Sequence, residues 1–113
     1  MVSPLKIEEI QALFSSNAVV MTQHFIEKIR KRGIALSDVK CAVSAGVIIE
    51  FYPDDFPHPS ALILGYSENK PLHVVVGIGG GYVWLITSYY PDDVKWENDK
   101  KTRKEMKNDL LLL

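Results

Sequence analysis

Three histidines and two runs of cations carry most of the chemical capacity of this sequence. His24, Lys28 and Arg32 stand four residues apart, with Lys31 on the same side. On a helix that turns about 100° per residue, such spacing makes a ladder along one side. His73 follows Pro71-Leu72, and Thr87 and Tyr89 alternate in a later β-rich run. Two imidazoles beside cations fit metal-independent RNA cleavage. One group takes the proton of the ribose 2′-hydroxyl and another gives one to the leaving 5′-oxygen. Cations stabilise the crowded phosphorane between them. Imidazole serves both proton-transfer roles near neutral pH. His24, His73 and Tyr89 are therefore the candidate catalytic residues, and Lys28, Arg32 and Thr87 the candidate substrate-binding residues. Spacing does not decide which histidine is base and which acid. No cofactor is called for.

Plainer readings stand beside these. A histidine on a half-buried strand often serves only as a hydrogen-bonded structural residue. Cations from Lys28 to Arg32 suit a solvated helix end, where they favour the helix dipole. Tyr89 and Tyr90, just before Pro91, fit edge packing. The same face would also serve a non-catalytic RNA- or protein-binding module, or a structural domain whose histidines tie helix to sheet. A metal site is not expected. His24, His58 and His73 lack the close spacing of a metal-binding helix, and Cys41 has no partner thiol.

The elements that position these groups follow from periodicity. Ser3-Pro4 reads as a helix start, with Leu5, Ile10, Leu13 and Phe14 as its stripe. A second helix is predicted from about Val19 to Arg32, on the recurrence of Met21, Phe25 and Ile29. Gly33 supplies its left-handed cap, and Ile34 folds back on the last turn. Ser37 reads as the N-cap of a short third helix through Val39, Ala42 and Val43, which Gly46 ends. From Val47 the pattern turns extended. Strands are expected over Val47–Tyr52, Ala61–Tyr66, Leu72–Ile78 and Tyr82–Tyr89, with a proline-rich loop at Pro53–Pro59. Pro91 opens a last charged helix or tail. The fold class is α+β, with N-terminal helices packed on a four-stranded antiparallel meander.

If Gly79, Gly80 and Gly81 form the hairpin loop, Ile78 faces Tyr82 and His73 lies across from Thr87. One sheet face then carries Leu72, Val74, Val76 and Ile78 with Trp84 and Ile86, and reads as core. The other carries His73, Val75 and Gly77 with Val83, Leu85, Thr87 and Tyr89. His24 is expected to approach this second face from the helix.

The whole chain has 113 residues, 47% of them hydrophobic and 24% charged, which suits one domain with a core of useful size. Wholesale disorder is excluded. No apolar run is long enough to suggest a membrane span, and no secretory signal is visible. A single cysteine agrees with a reducing cytoplasm. The net charge of −1 hides clustering: ten of the thirteen cations lie within Lys28–Arg32 and Lys95–Lys107. That balance argues against bulk polyanion binding but leaves a local basic face. Residues 98–113 are expected to be the least ordered. Leu110–Leu113, an apolar end, leaves docking on a second copy of the chain open as a homo-oligomer.

Several motifs occur in a fixed order. They are Thr22-x-His24, Arg32-Gly33-Ile34 and Ser37-Asp38-Val39, then Tyr52-Pro53-Asp54-Asp55, Pro59-Ser60 and Leu64-Gly65-Tyr66. Pro71-Leu72-His73-Val74-Val75, Ile86-Thr87-x-Tyr89-x-Pro91 and Lys95-Trp96 complete the series. From about Thr22 to Trp96 it resembles the bacterial DUF4258 family, a domain of unknown function. That family looks related to the RelE-like and barnase-like toxin ribonucleases. The resemblance implies helices on an antiparallel sheet; were the chain a toxin, an antitoxin protein would be expected as partner beside the RNA substrate. Two departures stand out. Lys28 occupies a position where the family commonly has arginine, which keeps the charge but loses the bidentate grip. The glycine turn Gly79-Gly80-Gly81 replaces a polar, acidic one.

Overall fold

The computed structural model describes residues 6–104. Three helices lie on one face of a five-stranded mixed sheet, with strand order β1-β5-β4-β3-β2. Helix α1 spans Ile7–Ser15 and buries Ile10 completely. The Ser3-Pro4 start falls outside the described residues, as do residues 105–113 with Leu110–Leu113.

The second predicted helix is shorter than its stripe suggested. Val19–Met21 is a strand, β1, parallel to β5. Two β-branched valines favour the extended form. The Thr22 hydroxyl then accepts from the Phe25 N–H at 3.1 Å, which fixes the helix start behind it. Helix α2 is Gln23–Lys31 and buries Phe25 and Ile29. Gly33 closes it at φ +70°, and the Ile34 N–H returns to the Ile29 carbonyl at 2.9 Å.

Helix α3 is Leu36–Ser44. Ala35 holds the N-cap position expected of Ser37, because the Asp38 carboxylate accepts the Ala35 N–H at 2.9 Å. The other Asp38 oxygen accepts from Ser67 Oγ at 2.7 Å, tying α3 to the sheet. These two bonds, the backbone one first, hold the Asp38 carboxyl below its ordinary pKa. Gly65 lets α3 press onto β3, since a Cβ there would sit 1.9 Å from the Ala42 carbonyl oxygen.

Strands β2 (Val47–Tyr52), β3 (Ser60–Ser67), β4 (Lys70–Gly79) and β5 (Tyr82–Tyr89) form an antiparallel meander. The addition of β1 makes the sheet five-stranded and mixed, which corrects the four-stranded antiparallel expectation. The β4–β5 hairpin turns through Gly80 and Gly81 alone, both at positive φ, so Gly79 pairs with Tyr82 and Ile78 with Val83. A bulge then leaves Ile86 unpaired between Leu85 and Thr87. His73 consequently faces Tyr89, not Thr87.

The two shifts offset each other beyond the bulge, where Thr87 and Tyr89 keep the same face as His73. Before it they do not. Val83 and Leu85 enter the helix-side core with Leu72, Val74 and Val76, and Trp84 moves to the opposite face beside Gly77.

That opposite face has two covers. Loop 53–59 lies over one end, anchored by the Ile78 N–H on the Pro59 carbonyl at 3.1 Å. Residues 91–104 lie over the other end and form turns, where the sequence left a charged helix or a tail open after Pro91. The Asp92 carboxylate accepts the N–H groups of Val94 and Lys95, and that of Asp99 accepts those of Lys101 and Thr102. Such side-chain turns compete with helix formation. Trp96 is 2% exposed beneath this strap, and it bridges to Arg103. Within 98–104, the Lys100 carbonyl and the Arg103 guanidinium bond to His73 and Glu50, respectively.

Candidate active site

His24 and Lys28 are one turn apart on α2, on the side that overlooks β5. They line a cleft of about 530 Å³ that wraps the edge of β5 where β1 ends. Across from them stand His58 and Phe56 of the loop, Trp84, and the bulged Ile86. Ile86 has no ladder partner and is 42% exposed. The bulge thus opens the wall at this point.

His58 is placed by small residues beneath it. Its ring packs over Gly79, where a Cβ would come within 2.0 Å of Nδ1. It tilts against the Trp84 indole with centroids 5.2 Å apart. The indole Nε1–H donates to the Gly79 carbonyl at 2.9 Å, fixing that ring as well. Ser60 Oγ bonds the Asp55 carboxylate and steadies the base of the loop. The cleft therefore brings together two imidazoles from distant elements, one ammonium group, the Asp55 carboxylate and one indole.

His73 is elsewhere. It is completely buried under the strap, and both ring nitrogens are occupied. Nε2–H donates to the Lys100 carbonyl at 2.6 Å, which leaves Nδ1 to accept from the Tyr89 hydroxyl at 3.4 Å. The Trp96 ring meets it edge-on at 4.5 Å. Burial is the main cause that lowers its pKa, against the Lys100 carbonyl and Glu50, which raise it. An enclosed imidazole with both nitrogens bonded ties the strap to the sheet. Contrary to the expectation from the sequence, the structure thus does not bring His73 into the cleft that His24 lines.

Tyr89, Arg32 and Thr87 belong to a second cleft of about 380 Å³ and its margin. Arg32 Nη1 donates to Thr87 Oγ1 at 3.0 Å and to the Ser88 carbonyl at 2.8 Å, tying the end of α2 to β5. Lys95 and Arg103 line the cleft too. Arg103 is already held by the Glu50 carboxylate at 2.7 and 2.9 Å, with its guanidinium over the Trp96 ring. Arg103 is the first cause that keeps the Glu50 carboxyl below its ordinary pKa. Burial, then the Glu50 bond, pushes neighbouring Tyr52 up to about 12. Burial also raises the Tyr89 phenol.

The structure divides the single site expected from the sequence: His24 and Lys28 line one cleft, and Arg32, Thr87 and Tyr89 stand around another. His58 and Trp84 were missed. Their signal is Gly77-x-Gly79, two residues without side chains on one face of β4, which leaves room for rings to cross it. Among the described residues, no group of three or more histidine, cysteine, aspartate or glutamate side chains is placed to hold a metal ion. No helix among them is long and apolar enough to cross a membrane.

A family model described as "Domain of unknown function (DUF4258)" matches residues 21–90. This span runs from the end of β1 to the close of β5, and takes in His24, Lys28, His58 and Trp84. No curated protein and no solved structure matches the chain.

Proposed function

The chain belongs to the DUF4258 family, whose function its description leaves open, and we propose that it is a metal-independent endoribonuclease of toxin type. One observation carries the reading: His24, His58, Lys28 and Trp84 line the same open cleft. His24 and His58 are the base and acid of the 2′-hydroxyl attack and the 5′-oxygen departure. Lys28 stabilises the charge that develops on the phosphorane oxygens. The Trp84 indole stacks on a base, a sequence-tolerant contact suited to single strands. RelE-like and barnase-like enzymes are the relatives in kind that this reading implies, and a reducing cytoplasm is the compartment.

The test is cleavage of single-stranded RNA in excess chelator. His24→Ala and His58→Ala should each lose roughly a hundred- to ten-thousand-fold in rate. Lys28→Ala should lose less, and the wild-type pH profile should be bell-shaped. Cleavage that survives both histidine substitutions would sink the assignment. RNA bound but never cut by wild type would make the cleft a binding module.

A toxin needs a partner that silences it. Phe56 is 95% exposed at the rim of the cleft and is the side chain an antitoxin protein would cover.

A further inference from the structure

We infer that the second cleft continues the first, so that one RNA strand follows the edge of β5 with a further phosphate held between Arg32 and Lys95. This rests on the RNA reading of the first cleft and extends it to substrate length and strandedness.

Helix α2 packs against strand β5. His24 shares its cleft with Trp84 and Ile86, while Arg32 bonds Thr87 and Ser88 further along. From His24 to Arg32 the helix rises about 12 Å, at roughly 1.5 Å per residue. From Trp84 to Ser88 the strand covers about 13 Å, at roughly 3.3 Å per residue. The two walls keep pace. A stacked strand rises about 3.4 Å per nucleotide, so this track spans roughly three to four nucleotides.

The charges along it favour a phosphodiester backbone. Lys28, Arg32 and Lys95 line the track in order. Among the described residues, only Nη1 of Arg32 is hydrogen-bonded, which leaves its other nitrogens for a ligand. The two carboxylates of the linings, Asp55 and Asp92, keep their charge but are outnumbered by Lys28, Arg32, Lys95 and Arg103. Asp55 accepts from Ser60, Asp92 from the backbone of Val94 and Lys95, and Glu50 from Arg103 and Tyr52. Aromatic rings flank both clefts, Trp84 in the first and Tyr89 with Tyr90 in the second. A cationic groove interleaved with aromatic faces is the way single strands are gripped without sequence readout.

The experiment measures binding of 2′-O-methyl RNA, which lacks the attacking hydroxyl, at lengths of two, four and six nucleotides. Anisotropy on the full chain should show roughly tenfold tighter binding at four nucleotides than at two, with little further gain. Lys95→Ala should keep dinucleotide binding and lose that gain, and Arg32→Ala should lose the gain as well. Among the described residues only the backbone of Lys95 is hydrogen-bonded, so its variant keeps the test clear of misfolding. The salt slope of the tetranucleotide should fall by about 0.7 for each phosphate contact removed. A length gain that both variants retain overturns the continuous track while leaving the first cleft intact. Failure of wild type to bind any length overturns the RNA reading together with this extension.

Discussion

The imidazole of His58 rests on Gly79, and no other residue at position 79 leaves that ring where it is. A Cβ would meet Nδ1 at 2.0 Å, Cε1 at 2.3 Å and Cγ at 2.4 Å. Gly79 is not at positive φ, so alanine is tolerated by the backbone and its effect falls on the histidine. Gly79→Ala should leave a folded protein, destabilised by about 1–3 kcal/mol through overpacking. Its cleavage rate should approach that of His58→Ala. Denaturant melts and the RNA assay on one preparation check this, and wild-type cleavage by Gly79→Ala would remove His58 from the mechanism.

His73 is expected to behave in the opposite way. His73→Ala removes a buried ring and orphans the Lys100 carbonyl, at a cost of about 2–4 kcal/mol. The strap over Trp96 should loosen, seen as faster amide exchange in residues 95–104. Below the melting transition, cleavage should persist. Complete loss of activity in a folded His73 variant would return this histidine to the catalytic set.

Acid should unfold the protein in two windows. Burial depresses the folded pKa of His73, so the unfolded state binds its proton more readily. Stability from this group is complete above the free value of about 6.5 and is lost as pH falls through the folded value. Glu50 and Asp38 are depressed as well, held chiefly by Arg103 and by the Ala35 N–H. Their contributions persist above the ordinary carboxylate values of 4.5 and 3.8 and are lost below them. Urea midpoints should therefore drop once below pH 6.5 and again below 4.5. In His73→Gln only the lower step should remain, and an unchanged upper step would assign it to another group.

Gly65 should be the least replaceable position of the sheet. Its missing Cβ is where the Ala42 backbone passes, with oxygen at 1.9 Å and carbonyl carbon at 2.5 Å. Neither partner is a flexible side chain. Gly65→Ala must push α3 off β3, at a cost of at least about 3 kcal/mol. A thermal midpoint within a few degrees of wild type would show that α3 can slide without penalty.

What the sequence revealed follows the range of the forces involved. Helix α2 was legible from Phe25 to Gly33 because stripe and cap are local signals. Its first turn was not, since Val19–Met21 also fits a helical period until β5 offers a parallel partner. The side-chain turns at Asp92 and Asp99 were hidden in a run that reads equally as a charged helix. In the β4–β5 hairpin, one glycine too many in the loop and one unseen bulge at Ile86 offset each other at Tyr89 but not at Trp84. That half-error concealed the cleft. Trp84 was assigned to the core, and His58 was left alone between its prolines.

The parallel pairing of β1 with β5 also has a bearing on assembly. Val19 and Val83 are neighbours in space yet lie more than half the chain apart. The meander of β2 to β5 closes through short turns, whereas β1 must find an edge that exists only once the last hairpin is made. Contacts so remote are entropically slow to form. β1 is also the piece that leads directly into α2, and thus into His24 and Lys28. The site would be the last part of the molecule to appear. During refolding, strand signals and the Trp84 environment should recover first, with RNA cleavage following as a distinct later phase. If the cleft cleaves RNA as proposed, a nascent chain built in this order stays silent until its final strand has been made.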